Sequence, residues 1–183
     1  MRKVTLTFGL LAGVTSSIFS IVIVWMCEKG KVNLDKSDLI GYGSMVIALS
    51  MIFFGIKSYR DNYQSGAISF GKGVQVGILI SLIAALIFAV GGELFYQADP
   101  AAQDGLMDKY ADHHINRLKE KGASTAEIDQ KVKEMADLRE MNRNPLIRFG
   151  IELVLILPVG IAITLISAAL LRRKEFFPNS RTP

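Results

Sequence analysis

The chain has 183 residues, half of them hydrophobic, with a formal net charge of +4. This length predicts one domain, and the single cysteine, Cys27, excludes a framework of internal disulfides. The positive charge is unevenly distributed and follows the ends of apolar runs, so it does not indicate a nucleic-acid-binding surface.

Four long apolar runs dominate the chain, and each is long enough to cross a bilayer as a helix. They cover residues 4–26, 39–56, 74–92 and 149–171. A helix of the first length is roughly 35 Å long, against about 30 Å for the hydrocarbon core. Backbone groups in lipid must bond within their own segment, so continuous apolar runs predict helices. We therefore predict an all-α polytopic membrane protein, with residues 1–183 forming a single membrane domain that has the bilayer as a partner.

The first run could be taken for a signal peptide, because Arg2 and Lys3 precede it. A signal core has only about 7–15 residues and is followed by a cleavage site of small residues. Residues 21–26 are bulky, which disfavours cleavage. Gly9 and Gly13 in this run stand four residues apart and would let another helix approach closely. That helix is either a second copy in a homo-oligomer or, as we favour, another span of the same chain.

The loop between the second and third runs is basic and rich in glycine. Lys57 and Arg60 lie one helical turn apart, where we expect contact with anionic lipid headgroups. The loop lacks the Walker pattern and does not join a strand to a helix, so no nucleotide site is predicted.

Three residues are candidate intramembrane polar groups: Glu93, Glu152 and Gln75. Acids inside a membrane are costly and often functional. Both glutamates lie within about one turn of the outer ends of their spans, however, and extension of the side chain to water is the competing interpretation. Pro158 is expected to kink the fourth span.

The long polar segment, residues 93–148, contains 11 of the 17 acidic and 9 of the 21 basic residues. Between residues 99 and 144, apolar side chains recur at helical spacing in two stripes separated by Gly122. Ser124 and Glu127 fit a capping box at the start of the second helix. We predict an extramembrane αα-hairpin here, between the third and fourth transmembrane helices. Its stripes pack on each other, lie on the membrane or contact a protein partner, and the candidate partner surface comprises Leu106, Tyr110, Leu118, Ile128, Val132 and Met135.

Residues suited to catalysis or metal binding are few. His113 and His114 are adjacent, so on a helix they point about 100° apart and do not easily share a metal. Asp104, Asp108 and Asp112 form a row that either holds a divalent cation weakly or, as we favour, is a solvated face. The sequence has no Ser-His-Asp set, zinc-ligand spacing or His-Glu motif. We predict no catalytic, cofactor-binding or metal-binding residues, and therefore no enzyme.

The distribution of lysine and arginine predicts the orientation. The side that holds both termini has nine bases and two acids, whereas the long polar segment has a net charge of −2. Short loops rich in lysine and arginine remain in the cytoplasm. We expect both termini in the cytoplasm of a bacterium, an inner-membrane location, and residues 93–148 in the periplasm or outside the cell.

Several short motifs resemble an uncharacterised family of bacterial membrane proteins with four spans, known only as a domain of unknown function. They are Gly-Ile-Lys-Ser-Tyr-Arg-Asp at 55–61, Ser-Phe-Gly-Lys-Gly at 69–73, Phe-Tyr-Gln-Ala-Asp-Pro at 95–100 and Gly-Ala-Ser at 122–124. The resemblance covers nearly the whole chain. It implies no activity, ligand or catalytic residue.

Two functions of different classes fit these patterns. The preferred one is a non-enzymatic structural, scaffold or accessory subunit that contacts a partner through the hairpin. The alternative is a small transporter or channel component, suggested by Glu152, Gln75 and the fourth span. Four spans without detectable inverted repeats disfavour a complete secondary transporter.

Overall fold

A computed structural model describes residues 1–31 and 34–172. Of the described residues 89% are helical, and none of them lies in a strand. The elements are α1 (Arg2–Glu28), α2 (Leu34–Leu49), α3 (Met51–Tyr63), α4 (Phe70–Ala98), α5 (Pro100–Glu120), α6 (Thr125–Arg143) and α7 (Pro145–Leu171). Four passages are long and apolar enough to cross a membrane: α1, α2 with α3, α4, and α7. The predicted all-α class with four spans is confirmed.

Helix α1 shows how the apolar runs divide between packing and lipid. One face is buried, including Ala12 and Ser16. The large exposed apolar side chains recur every three or four residues along the opposite face: Leu6, Leu10, Val14, Ile18, Val22 and Trp25. A soluble monomer rarely exposes so continuous an apolar strip, so this face suits lipid.

Helix α4 is the centre of the bundle. It packs against α1, α3 and α7, and half of its most apolar window is buried, against 22–33% for the other spans. Small residues alternate with branched ones on α4, so neighbouring helices approach closely and still fill the core. The fully buried core includes Ile52, Ile56, Val76, Ile80, Ala84 and Ile156.

The glycine contacts define the directions of the helices. A methyl group at Gly9 would lie 2.6 Å from Ile83, and one at Gly13 would lie 2.7 Å from Ile87, so α1 and α4 run parallel. Both glycines thus face α4 of the same chain, as the favoured interpretation expects. Helices α4 and α7 are antiparallel, since Gly73 lies beside Ala168 whereas Gly92 lies beside Glu152.

These directions give the bundle two distinct ends. Helices α1 and α4 begin, and α3 and α7 finish, at one end, which we call the terminal end. The opposite end carries α5 and α6 and is called the hairpin end. Three of the bases used to predict orientation, Arg173, Lys174 and Arg181, lie outside the described residues.

The second span, Leu39–Tyr63, is one passage with a single-residue break at Ser50, across which the Ser50 N–H still donates to the Val46 carbonyl at 2.9 Å. Helix α2 stops at Leu49 and α3 starts at Met51, with Ser50 alone between them. The Ser50 hydroxyl donates to the carbonyl of Ile47 at 2.6 Å. A serine hydroxyl bonded to a carbonyl in the preceding turn competes with the backbone ladder and bends helices.

The expected contact of Arg60 with lipid headgroups is wrong. Its side chain is fully buried, and its Nε donates to Asp61 Oδ1 at 2.7 Å. Lys57 pairs with the same carboxylate at 2.9 Å. A guanidinium with a carboxylate beside it can be buried at lower cost than an isolated charge, so this base became part of the protein interior.

Candidate functional site

Arg148 connects three helices at the hairpin end. Its Nη2 and Nε donate to Glu93 Oε2 on α4, at 2.6 and 2.9 Å. Its guanidinium lies 3.7 Å from the centre of the Tyr96 ring, and its Nη1 donates to the carbonyl of Asn142 on α6 at 2.8 Å. A single buried base therefore joins α4 and α7 to the last turn of the hairpin.

The local sequence explains how Arg148 reaches this position. The Asn144 side chain accepts a hydrogen bond from the Leu146 backbone N–H at 3.0 Å, and Pro145 occupies the first helical position. Asparagine caps and first-turn prolines both favour a helix start. Helix α7 therefore starts one turn before Arg148, ahead of the predicted run at 149–171, and α4 extends past 92 to include Glu93. Because Glu93 and Arg148 neutralise each other, α4 and α7 can both extend past these charged residues.

Glu152 lies one turn further into α7, and its carboxyl group rests on the backbone of Gly92. A methyl group at Gly92 would overlap that carboxyl group, so a larger residue there would require the Glu152 side chain to move. Within the part of the chain that the structure describes, Glu152 Oε2 has no hydrogen-bond partner. Glu93, Arg148 and Glu152 lie near one another at the hairpin end, and we call these three residues the Arg148 cluster.

Gln75 is not part of this cluster. It is exposed near the terminal end, where its amide oxygen accepts from Lys72 Nζ at 2.9 Å. It precedes Gly92 on α4 by 17 positions, which separates the two by roughly 25 Å along the helix. The three candidate intramembrane polar residues therefore do not form a joint site.

The hairpin has the predicted form. Gly122, at a φ of +73°, follows α5, and a left-handed residue after a helix is most easily glycine. The capping box of α6 is confirmed: the Ser124 side chain accepts from the Glu127 N–H, while Glu127 Oε2 accepts from the Ser124 N–H at 2.8 Å. Arg139 on α6 pairs with Asp108 on α5 at 2.6 Å, so one member of the aspartate row is an ion-pair partner.

The six candidate partner residues divide into two groups. Leu106, Leu118, Ile128 and Met135 are half-buried, whereas Tyr110 and Val132 are exposed. No side chain described in α5 or α6 is fully buried. The stripes therefore cover each other only in part.

Among the described residues, no three His, Cys, Asp or Glu side chains lie close enough to hold one metal ion. Glu93 accepts two hydrogen bonds from the Arg148 guanidinium, which compensates its negative charge in the way a cation would.

Removing the α6 cap is expected to weaken the hairpin. Ser124→Ala should destabilise α6 by about 1 kcal/mol, because the Glu127 backbone N–H loses its acceptor. Amide hydrogen exchange of α6 in detergent micelles measures the effect. Ser124→Thr keeps the hydroxyl and serves as the control. Equal protection of α6 in wild type and Ser124→Ala would contradict the prediction.

The same cap predicts a pH dependence. The Ser124 backbone N–H and, to a smaller extent, the Ser124 hydroxyl donate hydrogen bonds to the Glu127 carboxylate. These bonds lower the pKa of Glu127 below its ordinary value. Because the pKa of Glu127 is lower in the folded than in the unfolded chain, its ionised form stabilises the helix at pH values above its unfolded pKa. This stabilisation is lost as pH falls through the folded pKa. Exchange protection of α6, corrected for intrinsic rates, should fall in acid in wild type and change less in Glu127→Gln.

One comparison with known proteins identifies a family. Residues 7–173 match the family described as "Protein of unknown function (DUF4199)". This match spans more than half of the chain, so the protein belongs to that family. No curated protein and no solved structure matches the chain. The resemblance to a family of unknown function is confirmed, and the bacterial origin stays a prediction.

Proposed function

We propose that this member of the DUF4199 family is a non-enzymatic scaffold or accessory subunit of a bacterial inner membrane, and that α5 and α6 are its recognition surface for another protein. The main support is the limited burial of the hairpin. Its helices have 21 and 19 residues, yet no described side chain of either is fully buried. Most helical stability in proteins comes from packing an amphipathic face, so a second surface would complete this pair.

The exposed face of α6 suits a protein partner better than a lipid surface. Val132 and Leu138 lie on adjacent sides of the helix and are 47% and 42% exposed. Acids and bases alternate around them, and residues 93–148 have a net charge of −2. Binding to an anionic membrane surface needs a cluster of bases, which this helix lacks. An amphipathic helix of a partner, with an apolar strip and mixed charges, is the occupant we propose.

Photocrosslinking tests this recognition in living cells. A benzophenone amino acid at Val132 or Leu138 is expected to yield one discrete protein adduct. The double variant Val132→Asp with Leu138→Asp, with the crosslinker at Met135 between them, should abolish it. A crosslinker at Lys133, an exposed residue next to Val132, is the matched control for random capture. Adducts with lipid alone, or equal adducts from Lys133, would count against the proposal. A dimer of this chain would identify the partner as a second copy.

The proposed orientation places both termini in the cytoplasm and the hairpin outside it. Its support is the distribution of bases, including Lys57 and Lys72 near the terminal end. Cysteine labelling tests it in a Cys27→Ala background. We expect Lys133→Cys to react with a membrane-impermeant maleimide in intact spheroplasts, and Ser65→Cys to react only after permeabilisation. The reverse pattern would invert the orientation.

The second candidate function, a transporter or channel component, is favoured by one observation. Glu152 carries a carboxylate oxygen without a partner among the described residues, inside a span and beside Arg148. If this group binds a transported cation, Glu152→Gln should abolish solute flux into liposomes. Flux that survives both Glu152→Gln and Glu152→Ala removes the residue from such a mechanism, and no flux for any cation tested would argue against the function itself.

A further inference from the structure

A cleft of about 220 Å³ opens between α1, α2, α4 and α7 in the half of the bundle nearest the hairpin end. Its lining residues are Ser16, Ser20, Ile23, Val24, Gly41, Tyr42, Ser44, Met45, Phe88 and Leu155. Ser16 lies near the middle of α1, whereas Val24 and Gly41 lie near the hairpin end of their spans, so the cleft extends from the middle of the bundle toward that end. It is separate from the Arg148 cluster and is independent of the proposed partner surface.

The polar groups of the cleft are hydroxyls alone. Ser16 is only 4% exposed, and its Oγ has no hydrogen-bond partner within residues 1–31 and 34–172. The Ser44 hydroxyl donates to the Gly41 carbonyl at 2.8 Å, which leaves its oxygen able to accept. Buried hydroxyls in native proteins nearly always have a hydrogen-bond partner. The described residues do not provide one for Ser16, so we expect a bound molecule to do so.

We infer that this cleft binds a neutral single-chain amphiphile, with a hydroxyl or carbonyl oxygen paired to Ser16 and an apolar chain against Ile23 and Phe88. The charge of the lining supports this, because none of the lining residues is charged and a bare ionised group would enter without compensation. The size agrees as well. The volume lies below the roughly 300–1,000 Å³ of sites for drug-sized ligands, so it holds one chain segment with its polar group.

This chemistry has two sources in a membrane: acyl amphiphiles such as monoacylglycerols, and prenyl alcohols. Photoaffinity labelling of the full-length protein in phosphatidylcholine nanodiscs distinguishes them. The probes are a diazirine-bearing monoacylglycerol, a diazirine-bearing farnesol and a diazirine-bearing alkane without oxygen. The expected result is saturable labelling by one of the oxygen-bearing probes, with adducts on peptides that line the cleft.

Two glycines of α2 provide a matched pair of variants. A Cβ atom at Gly41 or at Gly43 would have no atom of another residue within 4 Å. Of the two glycines, only Gly41 lines the cleft. Gly41→Leu is expected to fill the cleft and reduce labelling at least fivefold, whereas Gly43→Leu should leave it unchanged. Ser16→Ala should weaken binding of the oxygen-bearing probe by about three- to tenfold, the value of one hydrogen bond.

The outcomes separate clearly. Labelling that does not saturate, that is equal in the two leucine variants, or that maps to the exposed face of α1 would overturn the proposal. So would alkane labelling as strong as that of both oxygen-bearing probes, because the hydroxyl of Ser16 would then have no role. The adduct map of the wild-type protein decides the question even if a variant does not fold.

Discussion

Replacing Arg148 with methionine is expected to lower the free energy of unfolding by about 3 kcal/mol. The substitution keeps an apolar side chain of similar length but removes the cation that faces Glu93 and lies one turn from Glu152. Breaking a buried ion pair costs roughly 3–5 kcal/mol. The lower end applies here, because the Glu93 side chain is 21% exposed and water compensates it in part. Unfolding in mixed micelles with increasing dodecyl sulfate, followed by circular dichroism, measures the change.

The exposed pair of Arg143 and Glu140 gives the control. Their side chains are 64% and 73% exposed, and such pairs contribute about 0–1 kcal/mol. Arg143→Met should therefore unfold close to wild type. The double variant Arg148→Met with Glu93→Gln should recover part of the loss, because no unpaired carboxylate remains at position 93. Equal stability of Arg148→Met and Arg143→Met would show that the Arg148 cluster does not hold α4 against α7.

Gly77→Leu is expected to prevent the native packing of α4 against α7. A Cβ at Gly77 would overlap Thr164 and would lie 3.0 Å from Ile56 Cδ1. Thr164 and Ile56 are themselves fully buried, so neither can move aside without displacing the core. Overpacking typically costs about 1–3 kcal/mol for smaller insertions, and we expect a loss of about 3 kcal/mol or more. Folded yield in size-exclusion chromatography and the dodecyl sulfate midpoint report it.

Gly71 on the same helix is the matched position, since a side chain there would meet nothing within 4 Å. We expect Gly71→Leu to be the least destabilised variant, Gly77→Ala to be intermediate and Gly77→Leu to be the most destabilised. A Gly77→Leu protein as stable as Gly71→Leu would mean that α4 and α7 are not in close contact in the membrane.

Periodicity and charge were sufficient to predict the spans and the hairpin. The apolar runs lack the alternation of a strand, so the α-helix is the form in which their backbone groups can all be hydrogen-bonded in lipid. The boundaries of α6 were also predictable, because Ser124, Glu127 and Asn144 act on the backbone of their own neighbours. Local chemistry of this kind does not depend on the rest of the fold.

The Arg148 cluster and the cleft were not predictable in the same way. Glu93 and Arg148 are 55 positions apart, and their pairing depends on how far α4 and α7 extend into the polar segment. An acid at the end of one apolar run and a base at the start of the next was the available signal. Ser16 belongs to a row of small residues that is as typical of helix packing as of a cleft. Only the position of α2 shows that Ser16 lines a cleft and does not pack directly against a neighbouring helix.

The interruption at Ser50 affects how the protein responds to bilayer thickness. Helix α3 is anchored by the fully buried Ile52 and Ile56, whereas α2 carries exposed apolar residues such as Ile47 and lines the cleft. Spans accommodate a thinner or thicker hydrocarbon layer by tilting or kinking. The Ser50 N–H still donates to the Val46 carbonyl at 2.9 Å, so α2 and α3 stay joined and the second span meets a change in thickness as one unit. Bending costs least at Ser50, where a hydroxyl competes for the Ile47 carbonyl.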